Sequence, residues 1–225
     1  MKNIITIDGP SGVGKGTLAM ALAEKLEWHY LNSGSLYRTL AYLSEKDNIK
    51  ASNITALINL VKKLKIQFEI DNGCLKVFHN NNDIYKIIQD EDCAKQASQI
   101  AIIKELRKTL IHTQRSYYKD PGLIAEGRDM GSVIFKKAEL KFFLTASNHT
   151  RAERRHKQLK KKGINVSLTQ LIRKLDQRDK RDSNRNVSPL IIPEGAVIIN
   201  TDGLDINEVI DTASKNIDKI LKIKI

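Results

Sequence analysis

Gly9-Pro10-Ser11-Gly12-Val13-Gly14-Lys15-Gly16-Thr17 stands between Ile4-Ile5-Thr6-Ile7, a short apolar β-branched run, and Leu18 to Leu26, an alanine-rich helical pattern. Strand, glycine loop and helix start, in that order, make a phosphate-binding turn. Glycines let the backbone double back without Cβ clashes and aim several N–H groups inward, while the helix N-terminus adds partial positive charge. Lys15 supplies a mobile point charge. The run fits G-x-x-x-x-G-K, yet Gly16 follows where Ser or Thr usually stands. The hydroxyl that commonly meets a magnesium ion is displaced by one residue, to Thr17.

A chain of 225 residues is long enough for one α/β domain with a buried core and one small insertion. Hydrophobic residues make up 41% and charged residues 28%, which excludes wholesale disorder. No apolar run reaches membrane-spanning length, and Asp8 comes too early for a signal peptide, so the expected compartment is the cytoplasm. Cys74 and Cys93 have no metal-ligand spacing and read as reduced thiols. The net charge of +12 calls for an anionic partner, with nucleotide, nucleic acid and anionic lipid all eligible. Its distribution is uneven: residues 151–185 hold thirteen Lys/Arg against four Asp/Glu. Lys160 to Lys162 read as solvated surface. Arg151, Arg154, Arg178, Arg181 and Arg185 have planar forks suited to phosphate oxygens.

Further along, Trp28 to Leu31 reads as a second strand, with Ser33 placed to cap a helix carrying Tyr37 and Arg38. Around residue 65 the apolar period changes to two. Ile66, Phe68 and Ile70 alternate with polar residues, Asp71-Asn72-Gly73 makes a turn, and Leu75 and Val77 alternate again, which predicts an antiparallel hairpin inserted among parallel units. A long helical stretch from about Asp90 to Tyr118, broken near Ile102, precedes Pro121-Gly122. Leu123 to Ala125, Leu140 to Leu144 and Ala196 to Ile199 read as strands, and a last helix starts at about Ile206. Strands alternating with helices imply a mostly parallel sheet covered on both faces, with polar residues converging at the carboxyl ends of its strands.

Three polar clusters fall at such ends or near them. Asn32 to Arg38 follows the second strand. Glu126-Gly127-Arg128-Asp129-Met130-Gly131 closes a buried one, where acids and an arginine need a reason to be. In Arg178 to Arg185, residues Arg178, Arg181, Asp182 and Arg185 recur at helical spacing and share a face, as a phosphate clamp or a solvated ion network would.

Together these motifs resemble the bacterial cytidylate kinases, a branch of the P-loop nucleoside monophosphate kinases, whose G-K-G-T ending the loop also matches. The likeness runs essentially end to end. Asn32 departs from it, since the family often has Asp there. What the resemblance implies is a P-loop three-layer fold with a central parallel sheet, an inserted antiparallel β subdomain and a short helical lid. Core would be residues 1–62, 91–151 and 169–225, the monophosphate-binding insertion about 63–90, and the lid about 152–168. It further implies ATP-dependent phosphorylation of CMP and dCMP with Mg²⁺. Without a long exposed apolar stripe a monomer is expected, with neither nucleic acid nor membrane as partner.

On that resemblance, Gly9, Pro10, Ser11, Gly12, Val13, Gly14, Lys15, Gly16 and Thr17 hold ATP together with Arg154, and Thr17 meets the metal directly or through water. Lys15, Arg128, Arg178 and Arg181 are the candidates for transition-state contact, since phosphoryl transfer demands alignment and charge stabilisation more than acid–base groups. CMP would be held by Ser33, Arg38, Ser98, Arg107, Arg128, Asp129, Arg178, Asp182 and Arg185. Asp129 and Arg107 are the acceptor and donor for the cytosine edge, Arg38 and Arg128 the cations for the acceptor phosphate, and Asp182 and Arg185 the ribose contacts. A P-loop kinase for another monophosphate or a small hydroxy acid is an alternative. A basic nucleic-acid-binding P-loop protein is another, against which stand an aromatic content of 5% and the lack of a stacking run.

Overall fold

The computed structural model describes residues 3–161 and 163–223. Strand β1 (Ile4–Asp8) runs into the glycine loop and helix α1 (Lys15–Leu26), followed by β2 (His29–Asn32), α2 (Ser33–Lys46) and α3 (Ile54–Lys62). The hairpin then departs as β3 (Ile66–Asp71) and β4 (Cys74–His79), with a short third strand β5 (Asn82–Asp83) that the sequence reading lacked. The chain returns through α4 (Tyr85–Ile88), α5 (Glu91–Ile100) and α6 (Lys104–Arg115). Next come β6 (Leu123–Glu126), one turn of π-helix (Met130–Ile134), β7 (Leu140–Thr145), α7 (Asn148–Lys161), α8 (Leu168–Asn184), β8 (Val197–Asn200) and α9 (Ile206–Leu221).

The main sheet is parallel throughout, in the order β2-β6-β1-β7-β8. β1 and β6 are buried at every residue, as central parallel strands must be when both faces are covered, which explains their unbroken apolar runs. α1 and α9 pack together, while α2, α3, α5 and α6 form a second packed group. Register places Glu126 opposite both Ile7 and Asn32, so the carboxyl ends of β1, β2 and β6 are level. The chain leaves β1 toward β2 on one side and reaches β7 on the other, and the crevice opens where the direction switches.

Tight geometry fixes the first turn. Gly9 has φ +144°, and a Cβ there would lie 2.3 Å from the Leu144 carbonyl oxygen of β7. Only glycine fits that approach. The cap of α2 differs from expectation: the Asn32 side chain accepts from the Ser35 N–H at 2.8 Å, and Ser33 is the first helical residue. Asn32 ends β2 in an extended conformation, which aims its side chain at the free N–H groups of the next turn. Residues 152–168 include most of α7, which already begins at Asn148. α7 and α8 share a small apolar cluster of Ala152, Leu159 and Leu171, separate from the main core.

Candidate active site

Asp8, the last residue of β1, is fully buried and accepts the N–H groups of Met130 (2.8 Å) and Gly131 (2.7 Å). It thereby ties the phosphate-loop strand to the segment carrying Arg128 and Asp129. Burial raises its carboxyl pKa to about 6, against the pull of those two N–H groups. Sequence reading passed over Asp8 as a site residue, although an acid closing an apolar strand was the available signal. Lys15 folds back over its own loop and donates to the Pro10 carbonyl at 2.7 Å. Burial, then the Arg128 cation, holds its amine well below the usual lysine range, while Glu126 and Asp8 oppose the shift.

A crevice of about 190 Å³ lies beside this loop. The structure brings Ser33, Arg38, Ser98, Arg107, Arg128, Asp129, Arg178, Asp182 and Arg185 around it, along with Lys15 and Arg181. Seven cations (Lys15, Arg38, Arg107, Arg128, Arg178, Arg181, Arg185) face three carboxylates (Glu126, Asp129, Asp182). The positive excess suits a polyanion in a confined space.

Individual contacts divide the labour. Arg107 and Asp129 form an ion pair with side chains only 5% and 3% exposed, and Arg107 also donates to the Ala101 carbonyl and lies 5.5 Å over the Tyr37 ring. Gln114 donates to the Ser33 hydroxyl at 2.8 Å, and the Ser98 hydroxyl donates to the Ala94 carbonyl. Arg128 Nε meets Asp182 at 3.0 Å, linking the end of β6 to α8. Burial pushes the Asp182 carboxyl up, but Arg128, Arg178 and Arg185 together hold it below the usual carboxylate range. Arg178 makes no ion pair within 4.0 Å among the described residues, and burial together with Arg128 lowers its guanidinium to about 10. Its Nε and the Arg185 Nη2 are buried without a hydrogen-bond partner among the described residues. A cluster of mutually repelling, underused donors of this kind gains most when a phosphate enters.

Two predicted residues stand apart. Arg154 does not line the crevice; it donates to Thr201, through the hydroxyl (2.9 Å) and the carbonyl (2.7 Å), and to the Val13 carbonyl of the phosphate loop (3.5 Å). Thr17 is exposed on the first turn of α1. Conversely, Arg151 is 2% exposed and fastens α7 to the Ser11 carbonyl at 3.0 Å and to Asp179 of α8, an arrangement visible only once the helices are packed. Glu126 also joins the site, its Oε1 lying 3.2 Å from where a Cβ on Gly16 would stand. A side chain at position 16 would press on that carboxylate.

Comparison with known proteins gives one consistent family. The family model described as "Cytidylate kinase" matches residues 5–219. A cytidylate kinase of Nitrosococcus oceani is 45% identical over 92% of this chain and 92% of its own. One from Aeromonas salmonicida is 43% identical over 94% of this chain and 92% of its own, and one from Sodalis glossinidius 43% over 97% and 96%.

Proposed function

This chain belongs to the cytidylate kinase family and is a phosphotransferase, and we propose that it moves the γ-phosphoryl group of ATP to CMP and dCMP. The observation that carries the acceptor assignment is the sealed Arg107–Asp129 pair at the crevice wall. Arg107 orients Asp129, so that the carboxylate accepts from the N4 amino group of cytosine. Uracil offers an oxygen at the same place, which would face an anion; UMP is the poorer acceptor on these grounds.

Arg38 and Arg128 bind the acceptor phosphate, and Asp182 and Arg185 the ribose. Lys15 and the loop N–H groups hold the donor β- and γ-phosphates. Arg178, in no ion pair among the described residues, meets the charge that develops on the transferring group, with Arg181 beside it. The loop residues 9–14 position the donor, and Arg154 acts on it indirectly by fixing Thr201 near the loop. For Mg²⁺, the fold supplies few side-chain ligands: no group of three or more His, Cys, Asp or Glu is arranged for a metal among the described residues. The donor set therefore fits an ion held chiefly by phosphate oxygens and water, with the exposed Thr17 hydroxyl within the same turn. Bound there, the ion would neutralise charge on the β- and γ-phosphates.

Incubation with ATP, Mg²⁺ and, separately, CMP, dCMP, UMP, AMP and dTMP tests the assignment by ADP release. Turnover with CMP and dCMP well above the other three is expected; no turnover with either would reject it.

A further inference from the structure

Glu126 closes β6 in the interior of the sheet, and β2 claims its carboxylate twice. Oε1 accepts the Tyr30 hydroxyl at 2.6 Å and the Asn32 amide at 2.6 Å. The same oxygen faces Gly16, the residue after Lys15. The Asn32 amide thus gives this carboxylate a donor that an ionised aspartate would not supply.

Tyr30 also reaches the inserted sheet. Its ring meets Phe68 of β3 edge-on, with centroids 6.0 Å apart at 79°, and Phe68 meets Tyr117 at 5.4 Å. Beside these rings a cleft of about 1030 Å³ opens between the hairpin and the core, while Ile66, Leu75 and Val77 anchor the inserted sheet in the main apolar cluster. At its other end, Arg38 donates to the carbonyls of Ile88 (2.7 Å) and Asp90 (3.2 Å), where the chain returns from the insertion.

We propose that Tyr30 is a positioning residue that transmits the seating of the inserted sheet to the phosphate loop, through Glu126 and Gly16. The proposal rests on the kinase reading above. An acceptor phosphate that engages Arg38 draws on the return segment, the hairpin shifts on its aromatic footing, and Tyr30 carries the shift to the carboxylate packed against α1. Tyr30 and Glu126 are buried and joined by a 2.6 Å hydrogen bond, so a displacement of one is felt by the other. Binding of acceptor and donor is then coupled, and the coupling is reciprocal.

Titration calorimetry tests this with CMP and a non-hydrolysable ATP analogue, each alone and with the other present. In the unmodified protein, CMP should tighten the analogue by about 5-fold or more, a magnitude ordinary for coupled sites. Tyr30→Phe keeps the ring on Phe68 and removes the hydroxyl from Glu126; it should bring the coupling close to 1 while each ligand alone binds within about 2-fold of normal. Phe68→Leu, which disturbs only the far end of the relay, should do the same. Full coupling in both variants overturns the proposal, as does a uniform loss of both affinities accompanied by a lower Tm with coupling retained. Failure of the unmodified protein to bind CMP overturns the kinase reading and this proposal together, whereas normal CMP binding without coupling overturns this one alone.

Discussion

The carboxylate of Asp129 and the guanidinium of Arg107 pair across the acceptor crevice with almost no access to water. Removing one charge strands the other, which costs about 3–5 kcal/mol for a buried pair. Arg107→Met and Asp129→Leu should each destabilise the fold by that order in urea unfolding. The double variant should recover much of the loss, because no unpaired charge is left. Both single variants should also abolish the preference for CMP over UMP.

Arg178 differs: it is buried near Arg128 and Arg38, and Asp182 offsets their repulsion without pairing with it within 4.0 Å among the described residues. Its replacement relieves repulsion in the empty protein and removes a contact made most strongly to the transferring group. Arg178→Ala should therefore lower kcat by roughly 10²-fold or more, the scale for losing one transition-state donor, with a smaller change in KM for CMP. Single-turnover kinetics would separate the two effects. A rise in KM at unchanged kcat would move Arg178 from the reaction to ground-state binding.

Asp8 makes stability depend on pH. Its folded pKa of about 6 lies above the unfolded 3.8, so the native state holds the proton more firmly. The contribution is full below about pH 4, declines as pH rises through 6, and amounts to on the order of 3 kcal/mol. Urea unfolding between pH 4 and 7 should show this decline in the unmodified protein and a shallower slope in Asp8→Asn. Equal slopes would mean that the carboxyl is ionised throughout.

Two glycines of the phosphate loop should respond differently to alanine. At Gly9 the new Cβ meets backbone, the Leu144 carbonyl at 2.3 Å, and neither strand can yield; a loss on the order of 3 kcal/mol or more is expected. At Gly16 the obstacle is the side chain of Glu126 at 3.2 Å, which can give by a few tenths of an ångström. Gly16→Ala should keep the fold and weaken ATP binding. Thermal unfolding and nucleotide titration of the pair would distinguish the cases.

The amino-acid sequence by itself determined the phosphate loop, the parallel α/β core, the antiparallel insertion and the arginine face of residues 178–185, while the other crevice residues were named through the family resemblance. Each of the first four rests on local chemistry: glycines before a helix, apolar strands without alternation, a change of period at residue 65, and arginines at helical spacing in Arg178 to Arg185. Tertiary structure decided who pairs with whom. The Arg107–Asp129 pair joins α6 to the end of β6 across 22 positions, and Arg151 reaches Ser11 across 140. Asp8, Glu126 and Tyr30 acquired their parts in the same way, since register levels the ends of three strands and no spacing along the chain records that register. Arg154 shows the same dependence: its residue type suits a phosphate, and the fold sets it between Thr201 and the Val13 carbonyl of the phosphate loop. Local pattern says what a side chain is able to bind, and the fold chooses among the partners it brings within reach.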